Sequence, residues 1–310
     1  MGAQERTEEQ ERFRGYVERF VIYLSSVRNL SENTVRAYCT DLDAYCDWVE
    51  REGVRPLEVT HRQLRRFLGE LSRARYATKT INRHLSAVRA LYRWLVHEGL
   101  TDKDSAAAVA SPKLARTLPK TMSDADASAL METCDTGDIV GIRDRAFLEL
   151  LYASGARISE VSGLDVRDVD LASAQARLFG KGSKERIVPL YDACLQWLGT
   201  YLREARPQLA ARAKGTPTQA LFVSTRGNRM SANALRSCFE RHAGLAGLDG
   251  SLTPHAMRHT YATELLAGGA DMRSVQELLG HASLSTTQIY THLSVDRLRD
   301  AARQAHPRGE

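Results

Sequence analysis

The chain has 310 residues, enough for two domains that each bury a core of their own. Hydrophobic residues make up 43% and charged residues 26%, which is typical of soluble globular proteins, and a formal net charge of +5 favours an anionic partner. The N-terminus is too polar for a secretory signal, and no apolar run approaches the ~20 residues of a membrane-spanning helix. The five cysteines show no paired spacing, so we expect reduced thiols in a cytoplasmic protein.

Residues 8–100 are predicted to form an all-α domain of four helices. Ser31 and Thr60 have the side chains of N-cap residues and start the second and third helices. Gly99 marks the end of the fourth. Apolar residues recur within each helix at the spacing that buries one face.

The last two of these helices are lopsided in charge. Between His61 and Leu95 the only acidic residue is Glu70, against nine basic residues. A solvated helix face normally mixes both signs, so this excess favours a footprint on the phosphates of DNA, although a solvated face remains the simpler alternative. The candidate DNA-binding residues are Arg73, Arg75, Lys79, Arg83, Arg89 and Arg93.

Residues 101–122 are predicted to be a basic linker without buried periodicity, since Pro112 and Pro119 resist helix formation. A second, mostly helical domain follows over residues 123–293. Its second helix is expected to end at Gly155, and alternation on both sides of residues 180–183 predicts a β-hairpin. The later helices are predicted over 192–206, 232–243, 254–267, 272–279 and about 286–292.

Six polar residues of the second domain stand out by type and order. They are Arg157, Lys181, His255, Arg258, His281 and Tyr290. Each has an ordinary explanation by itself, such as an exposed salt bridge for Arg157 or a core position for Tyr290. Together the arginines, lysine and histidines supply the donors of a phosphate receptor, and the tyrosine is a candidate nucleophile.

Metal and nucleotide sites are disfavoured. His255 and His259 lie four residues apart, but the glutamate of the metalloprotease pattern is missing and Arg258 beside them would repel a cation. The segment 180–183 lacks the upstream glycine of a phosphate-binding loop, because that position is Gln175, and it lies in a predicted hairpin. We therefore expect no metal and no cofactor.

The order and spacing of the six residues resemble the tyrosine recombinase family, also called the phage integrase family, and specifically its Xer-type chromosome recombinases. The segments that carry the resemblance are Gly180-Lys181-Gly182-Ser183-Lys184-Glu185-Arg186-Ile187-Val188-Pro189-Leu190 and Leu278 through His292. It covers nearly the whole chain. Ser154 stands where threonine is common and Met257 where leucine is usual, and neither departure affects a catalytic role.

The resemblance implies a mainly α fold with a small β-sheet: an N-terminal four-helix core-binding (SAM-like) domain and a C-terminal α+β catalytic domain. It implies that Arg157 and Arg258 grip the scissile phosphate, that His281 adds a donor, and that Glu160 orients the arginines. Tyr290 would attack to form a 3′-phosphotyrosine, with His255 as base and Lys181 as the acid for the leaving 5′ oxygen.

The implied partners are a double-stranded DNA recombination site, a tetramer formed with itself or a paralogous recombinase, and a septal DNA translocase. Residues 294–310 are expected to form a C-terminal tail for exchange between subunits. The leading hypothesis is a site-specific DNA recombinase that resolves chromosome dimers. The alternatives are the same chemistry on a phage, integron or transposon substrate, a non-catalytic DNA-binding protein on the same fold, and a metal-dependent nuclease using His255, His259 and His281.

Overall fold

The computed structural model describes residues 3–114, 121–180, 185–216, 218–267 and 269–279, with the side chains of 3–6, 276 and 277 left out. The chain divides into two compact units, Met1–Thr117 and Leu118–Glu310. Lys181, His281, Tyr290, the predicted helix near 286–292 and the tail 294–310 lie outside the described residues.

The first unit contains the four helices that the sequence predicts. They are α1 Ala3–Ser26, α2 Glu32–Arg51, α3 His61–Arg73 and α4 Thr78–His97, with a 3₁₀ turn at Pro56–Glu58. Ser31 caps α2, accepting from the Thr34 N–H at 3.4 Å. Thr60 and Gln63 form a reciprocal capping box at the start of α3. Local cap chemistry therefore fixes where these helices begin.

The core of this unit is aromatic and also contains linked hydroxyl groups. The ring of Tyr45 packs against Trp48 and Phe67. The Tyr45 and Tyr92 hydroxyls are 2.7 Å apart, and Tyr92 donates onward to the carbonyl of Pro56 at 2.6 Å. Burying these hydroxyls is tolerable because both have partners.

The predicted linker is partly structured. Ala106 and Val109 are buried in the core of the first unit, which the sequence did not indicate. Arg89 of α4 holds this segment, donating to the carbonyl oxygens of Ala106 and Val109 and to the Ser111 hydroxyl. Met122, at the end of the predicted linker, is buried in the core of the second unit. Such scattered apolar side chains give no periodic signal in the sequence.

The second unit is helical around a small sheet. Its helices are α5 Asp124–Glu132, α6 Ile139–Ser154, α7 Ile158–Gly163, α8 Asp192–Thr200, α9 Arg206–Ala210, α10 Ala232–Leu245, α11 Pro254–Ala267 and α12 Met272–Leu279. A π-helical turn, Tyr201–Ala205, joins α8 to α9, and Val166–Asp168 is a 3₁₀ turn. Helix α6 is buried along nearly its whole length and packs against α5, α8, α9 and α11.

The sheet is antiparallel, in the order β1 Val169–Asp170, β2 Gln175–Phe179 and β3 Glu185–Pro189. Arg177 pairs with Ile187, which places Arg186 and Val188 on the face of β3 that packs into the core. The mainly α architecture with a small sheet is confirmed. No helix among the described residues is long and apolar enough to cross a bilayer.

Candidate active site

The break between α6 and α7 builds the first part of the site. Gly155 ends α6 with φ of +54°, and a Cβ there would lie 2.4 Å from the ring of Tyr261 on α11. Glycine is required on both counts. The break therefore brings the segment before Arg157 into close contact with the helix that carries Arg258.

Arg157 and Glu160 interact across the first turn of α7. The Arg157 N–H donates to Glu160 Oε2 at 2.9 Å, and Arg157 Nη1 donates to Oε1 at 2.8 Å. The Arg157 side chain is 42% exposed, whereas that of Glu160 is 4% exposed. A buried carboxylate thus holds a guanidinium whose other side remains open to a ligand.

Arg186 is a component of the site that the sequence argument missed. From β3 it donates Nη1 to Glu160 Oε1 at 3.1 Å and Nη2 to Oε2 at 2.6 Å. Its Nε donates to the carbonyl of Leu278 at 2.7 Å. The strand pattern contained a signal for this residue. Arg186 lies two residues before Val188, so both side chains are on the buried face of β3, where an apolar residue is usual.

Arg258 is buried on α11 and reaches the same place. Its Nη1 donates to the carbonyl of Gly155 at 2.8 Å, and its Nη2 donates to the carbonyl of Leu279. Arg258 and Arg186 therefore both bind the last carbonyls of α12, immediately before the stretch of sequence that contains His281 and Tyr290.

The electrostatics of this cluster favour an anion. Burial, then repulsion by Arg157, lowers the pKa of Arg258 to about 10. Burial alone would raise the pKa of Glu160, but hydrogen bonds from Arg186 and its charge outweigh burial and lower it. Arg157 and Arg186 both bind the one carboxylate, and Arg258 feels its charge without bonding to it. The cluster of Arg157, Glu160, Arg186 and Arg258 therefore carries excess positive charge that a phosphate would neutralise.

The remaining predicted residues contribute differently. His255 is exposed, one turn before Arg258 on α11, so the two share a side of the helix. Lys181, His281 and Tyr290 are not described, and the structure therefore brings together only the arginines and Glu160 of the predicted set, with His255 one turn from Arg258.

A separate buried cluster has the spacing of metal ligands. Asp144, Cys238 and His242 are all buried, with ligand atoms within 4.8 Å of one another. Arg143 and Arg241 both donate to the Asp144 carboxylate. These two guanidiniums already neutralise the carboxylate and would repel a metal ion. This cluster is better explained as an internal hydrogen-bond network of the α6–α10 contact than as a metal site. His255 and His259 belong to no such group within the described ranges.

The six residues predicted to bind DNA divide into two groups. Arg73, Arg75, Lys79 and Arg93 are exposed, and Arg75 has a positive φ of 60° in the turn between the helices. Arg83 and Arg89 instead have partners within the unit: Asp41 for Arg83 and the linker carbonyls for Arg89. The predicted DNA-binding residues therefore differ in how firmly their side chains are held within the unit.

Family models match both units. The phage integrase family model covers residues 120–297, and the model of the phage integrase N-terminal SAM-like domain covers residues 17–99. The chain is 39% identical to tyrosine recombinase XerC of Pelotomaculum thermopropionicum, over 95% of this chain and 99% of the relative. It is 41% identical to tyrosine recombinase XerD of Pseudomonas aeruginosa, over 94% and 97% of the two chains.

Solved structures agree at the level of fold. The XerH site-specific recombinase bound to palindromic difH substrate matches with a TM-score of 0.68 at 23% identity, covering 89% of this chain and 80% of that one. The Tn1549 transposon integrase in complex with circular intermediate DNA matches with a TM-score of 0.66 at 19% identity, covering 90% and 97%. The chain belongs to the phage integrase family of tyrosine recombinases.

Proposed function

We propose that this chain is a site-specific recombinase that cuts and rejoins duplex DNA through a 3′-phosphotyrosine at Tyr290 and resolves chromosome dimers. The observation that carries the proposal is the cluster of Arg157, Arg258 and Arg186 around Glu160, which has more positive than negative charge at a partly open position. Such a cluster suits a phosphodiester because guanidinium groups bind paired oxygens and stay charged.

The proposed chemistry balances without a metal or ATP. The Tyr290 oxygen forms a bond to phosphorus while the bond from phosphorus to the 5′ oxygen breaks. His255 takes the phenolic proton, and Lys181 gives a proton to the departing 5′ oxygen. Arg157, Arg258 and His281 stabilise the charge that grows on the non-bridging oxygens. The phosphotyrosine conserves the bond energy, so a 5′ hydroxyl of another strand restores the phosphodiester by the reverse steps.

The Arg186–Glu160 pair acts through Arg157 in this scheme. A fixed guanidinium stabilises a transition state better than a mobile one, because no reorganisation is needed when charge develops. Glu160 is thus a positioning residue, as the resemblance implied, and Arg186 shares that role.

The DNA-binding part of the proposal rests on the exposed basic residues of α3 and α4 and on the relatives. Arg73, Arg75, Lys79 and Arg93 would contact backbone phosphates. Near-complete coverage of the XerC and XerD relatives favours a chromosomal recombination site over a mobile element. We further propose a tetramer with itself or a paralogous recombinase, control by a septal DNA translocase, and action in the cytoplasm where the chromosome lies.

The decisive experiment is covalent trapping on DNA. The probe is the duplex that the wild-type chain selects from a random-sequence pool, supplied with a nick that lets the cleaved strand diffuse away. We expect a protein–DNA adduct that survives denaturant with the wild-type chain and none with Tyr290→Phe, which keeps the ring and should still bind.

Tyr23→Phe is the matched control, since Tyr23 is a partly buried tyrosine of the first unit, and it should form the adduct normally. An adduct of undiminished yield with Tyr290→Phe would refute Tyr290 as nucleophile. Strand cleavage that leaves no adduct and is lost in chelator would instead support the metal-dependent nuclease.

A further inference from the structure

Asp41 is a fully buried carboxylate beneath the basic face of the first unit. On α2 its side chain is 0% exposed, and it accepts from Arg83 Nε at 2.8 Å and Arg83 Nη2 at 2.9 Å. His84 Nε2 lies 3.2 Å from the same carboxylate, at Oδ1. Both partners come from α4, so Asp41 joins the two helices and fixes one edge of a guanidinium.

The other edge of Arg83 faces outward. The arginine side chain is 47% exposed although one edge is bound. A guanidinium has five N–H groups, and the two bonds to Asp41 leave Nη1 and the second N–H of Nη2 to donate elsewhere. Lys79, Arg83, Ser86 and Arg93 are all exposed and recur at a spacing that puts them on one face of α4.

Arg83 differs in this respect from its basic neighbours. Arg73, Arg75, Lys79 and Arg93 form no ion pair with any residue that the structure describes, so their side chains are free to follow phosphates. Burying a carboxylate is costly unless it is fully paired. General attraction to the DNA backbone needs no buried carboxylate, because a mobile cation is sufficient. A contact of defined direction needs a donor that is held in place, and the buried Asp41 holds Arg83.

We infer that Asp41 is a positioning residue that holds Arg83 so that its outer edge donates two parallel N–H groups to one pair of acceptors on DNA. The acceptors are the oxygens of a phosphate or the O6 and N7 atoms of a guanine, which share this geometry. This inference rests on the DNA-binding function proposed above. Since the Asp41–Arg83 pair has no net charge, its contribution is short-range and adds little to counterion release.

A double-mutant cycle on DNA affinity tests the inference. The probe is again the duplex that the wild-type chain selects from a random-sequence pool. Asp41→Asn removes the bidentate support, and Arg83→Lys keeps the charge but loses the planar fork. Each should weaken binding on the order of tenfold. The double variant should bind no worse than either single variant, and the salt dependence should change little in all three.

Additive losses in the double variant would overturn the inference, as would wild-type affinity of Arg83→Lys. Glu58→Gln is the control, because it breaks an Arg55–carboxylate pair near the 3₁₀ turn and should leave affinity unchanged. Circular dichroism establishes that each variant is folded. If Asp41→Asn does not fold, the affinity of Arg83→Lys alone tests the inference, because a substitution at the half-exposed Arg83 should leave the fold intact.

Repeating the selection with Arg83→Lys identifies the acceptor. Relaxed preference at a single guanine position identifies base contact, whereas uniform weakening across sequences identifies a phosphate. The covalent adduct at Tyr290 is scored on the same duplex. Non-additive losses of affinity in the Asp41 and Arg83 variants without any adduct would refute the proposed chemistry alone. An adduct with additive losses of affinity would refute the role of Asp41 alone.

Discussion

At the scale of single residues, the active site depends on how one carboxylate is shared. Glu160 binds Arg157 and Arg186 at once, and Arg186 also binds the Leu278 carbonyl at the end of α12. Arg186 therefore connects the arginine that would grip the phosphate to the helix that precedes Tyr290 in sequence. Removing it would loosen both connections without deleting any group that is proposed to touch the phosphate.

Arg186→Met should slow cleavage on the order of 10²-fold, because a displacement of about an ångström at the reacting groups costs that much. The effect should be larger at low pH. Arg186 helps to lower the pKa of Glu160 against the effect of burial, so in the variant that pKa rises and Glu160 loses its charge as pH falls. The measurement is the single-turnover rate of adduct formation across pH.

Arg143→Met is the matched control, because Arg143 is an equally buried arginine paired with Asp144 away from the site. It should lower the stability of the fold, but its effect on the cleavage rate should not grow at low pH. Arg186→Lys should recover part of the rate. A pH profile of Arg186→Met parallel to that of the wild type would show that Arg186 is only a packing residue.

The sequence predicted some of these residues and not others for a physical reason. Arg157 and Glu160 lie on one short turn, so their contact follows from helical spacing. Glu160 and Arg186 are separated by a helix, a 3₁₀ turn and two strands, and Asp41 and Arg83 by a whole helix and its turns. Contacts of that kind depend on tertiary packing, which no local pattern records.

At the scale of elements, boundaries with cap chemistry were predictable and short elements were not. Ser31 and Thr60 cap helices, as their side chains indicated. The six-residue α7 and the two-residue β1 were missed, since they are too short to show a period. The predicted helix 192–206 continues to Ala210 through a π-helical turn at Tyr201–Ala205.

The contact between α11 and the start of α5 carries a pH-dependent charge. The Met122 N–H donates to Thr260 Oγ1 at 2.6 Å, and one turn later Glu264 faces Asp124. Burial and the Asp124 charge raise the pKa of Glu264 to about 7. Its Oε2 atom is buried without a hydrogen-bond partner among the described residues. The neutral form of Glu264 therefore suits the fold better than the charged form.

The second unit should lose stability as pH rises through about 7. A folded pKa above the unfolded value means that the folded state holds its proton more tightly, so the stabilisation is present at low pH and is lost as Glu264 ionises. Glu264→Gln stays neutral and should narrow the difference in Tm between about pH 5 and about pH 8. Thermal unfolding of the full chain measures it.

Glu240→Gln serves as the control for that measurement, because Glu240 is an exposed glutamate on α10. It should leave the Tm difference as in the wild type. The same narrowing in both variants, or in neither, would show that Glu264 does not limit stability at high pH.

At the scale of the whole molecule, the arginine cluster is connected to the end of the described chain. The carbonyls of Leu278 and Leu279 accept from Arg186 and Arg258, and His281, Tyr290 and the tail follow them in sequence. In the proposed tetramer, a force on the tail of one subunit would therefore act on a segment that begins next to the arginines proposed to bind phosphate. This would give contacts between subunits a physical route to influence cleavage.

The tail itself has the pattern of a docking segment. Val295, Leu298 and Ala302 fall on one side of a predicted helix, a stripe too narrow to form a core alone. A tail of one subunit that docks on its neighbour makes a heterologous contact, and repetition of that contact closes a ring. We therefore expect the tail to act between subunits of the proposed tetramer rather than within one chain.

Truncation after Leu293 should leave binding to a single site intact, because the basic face of α3 and α4 is untouched. It should abolish cooperative assembly on a duplex with two sites and change the level of cleavage there, since neighbouring subunits would no longer be coupled. Leu298→Ser in the full chain should do the same through the stripe alone, while Arg297→Ser, on the other side of the predicted helix, should assemble normally. Gel-shift titrations on one-site and two-site duplexes, with adduct yield on each, measure these effects. Normal assembly and cleavage by both the truncated chain and Leu298→Ser would show that the tail is dispensable, and coupling would then have to come from contacts between the described parts of the subunits.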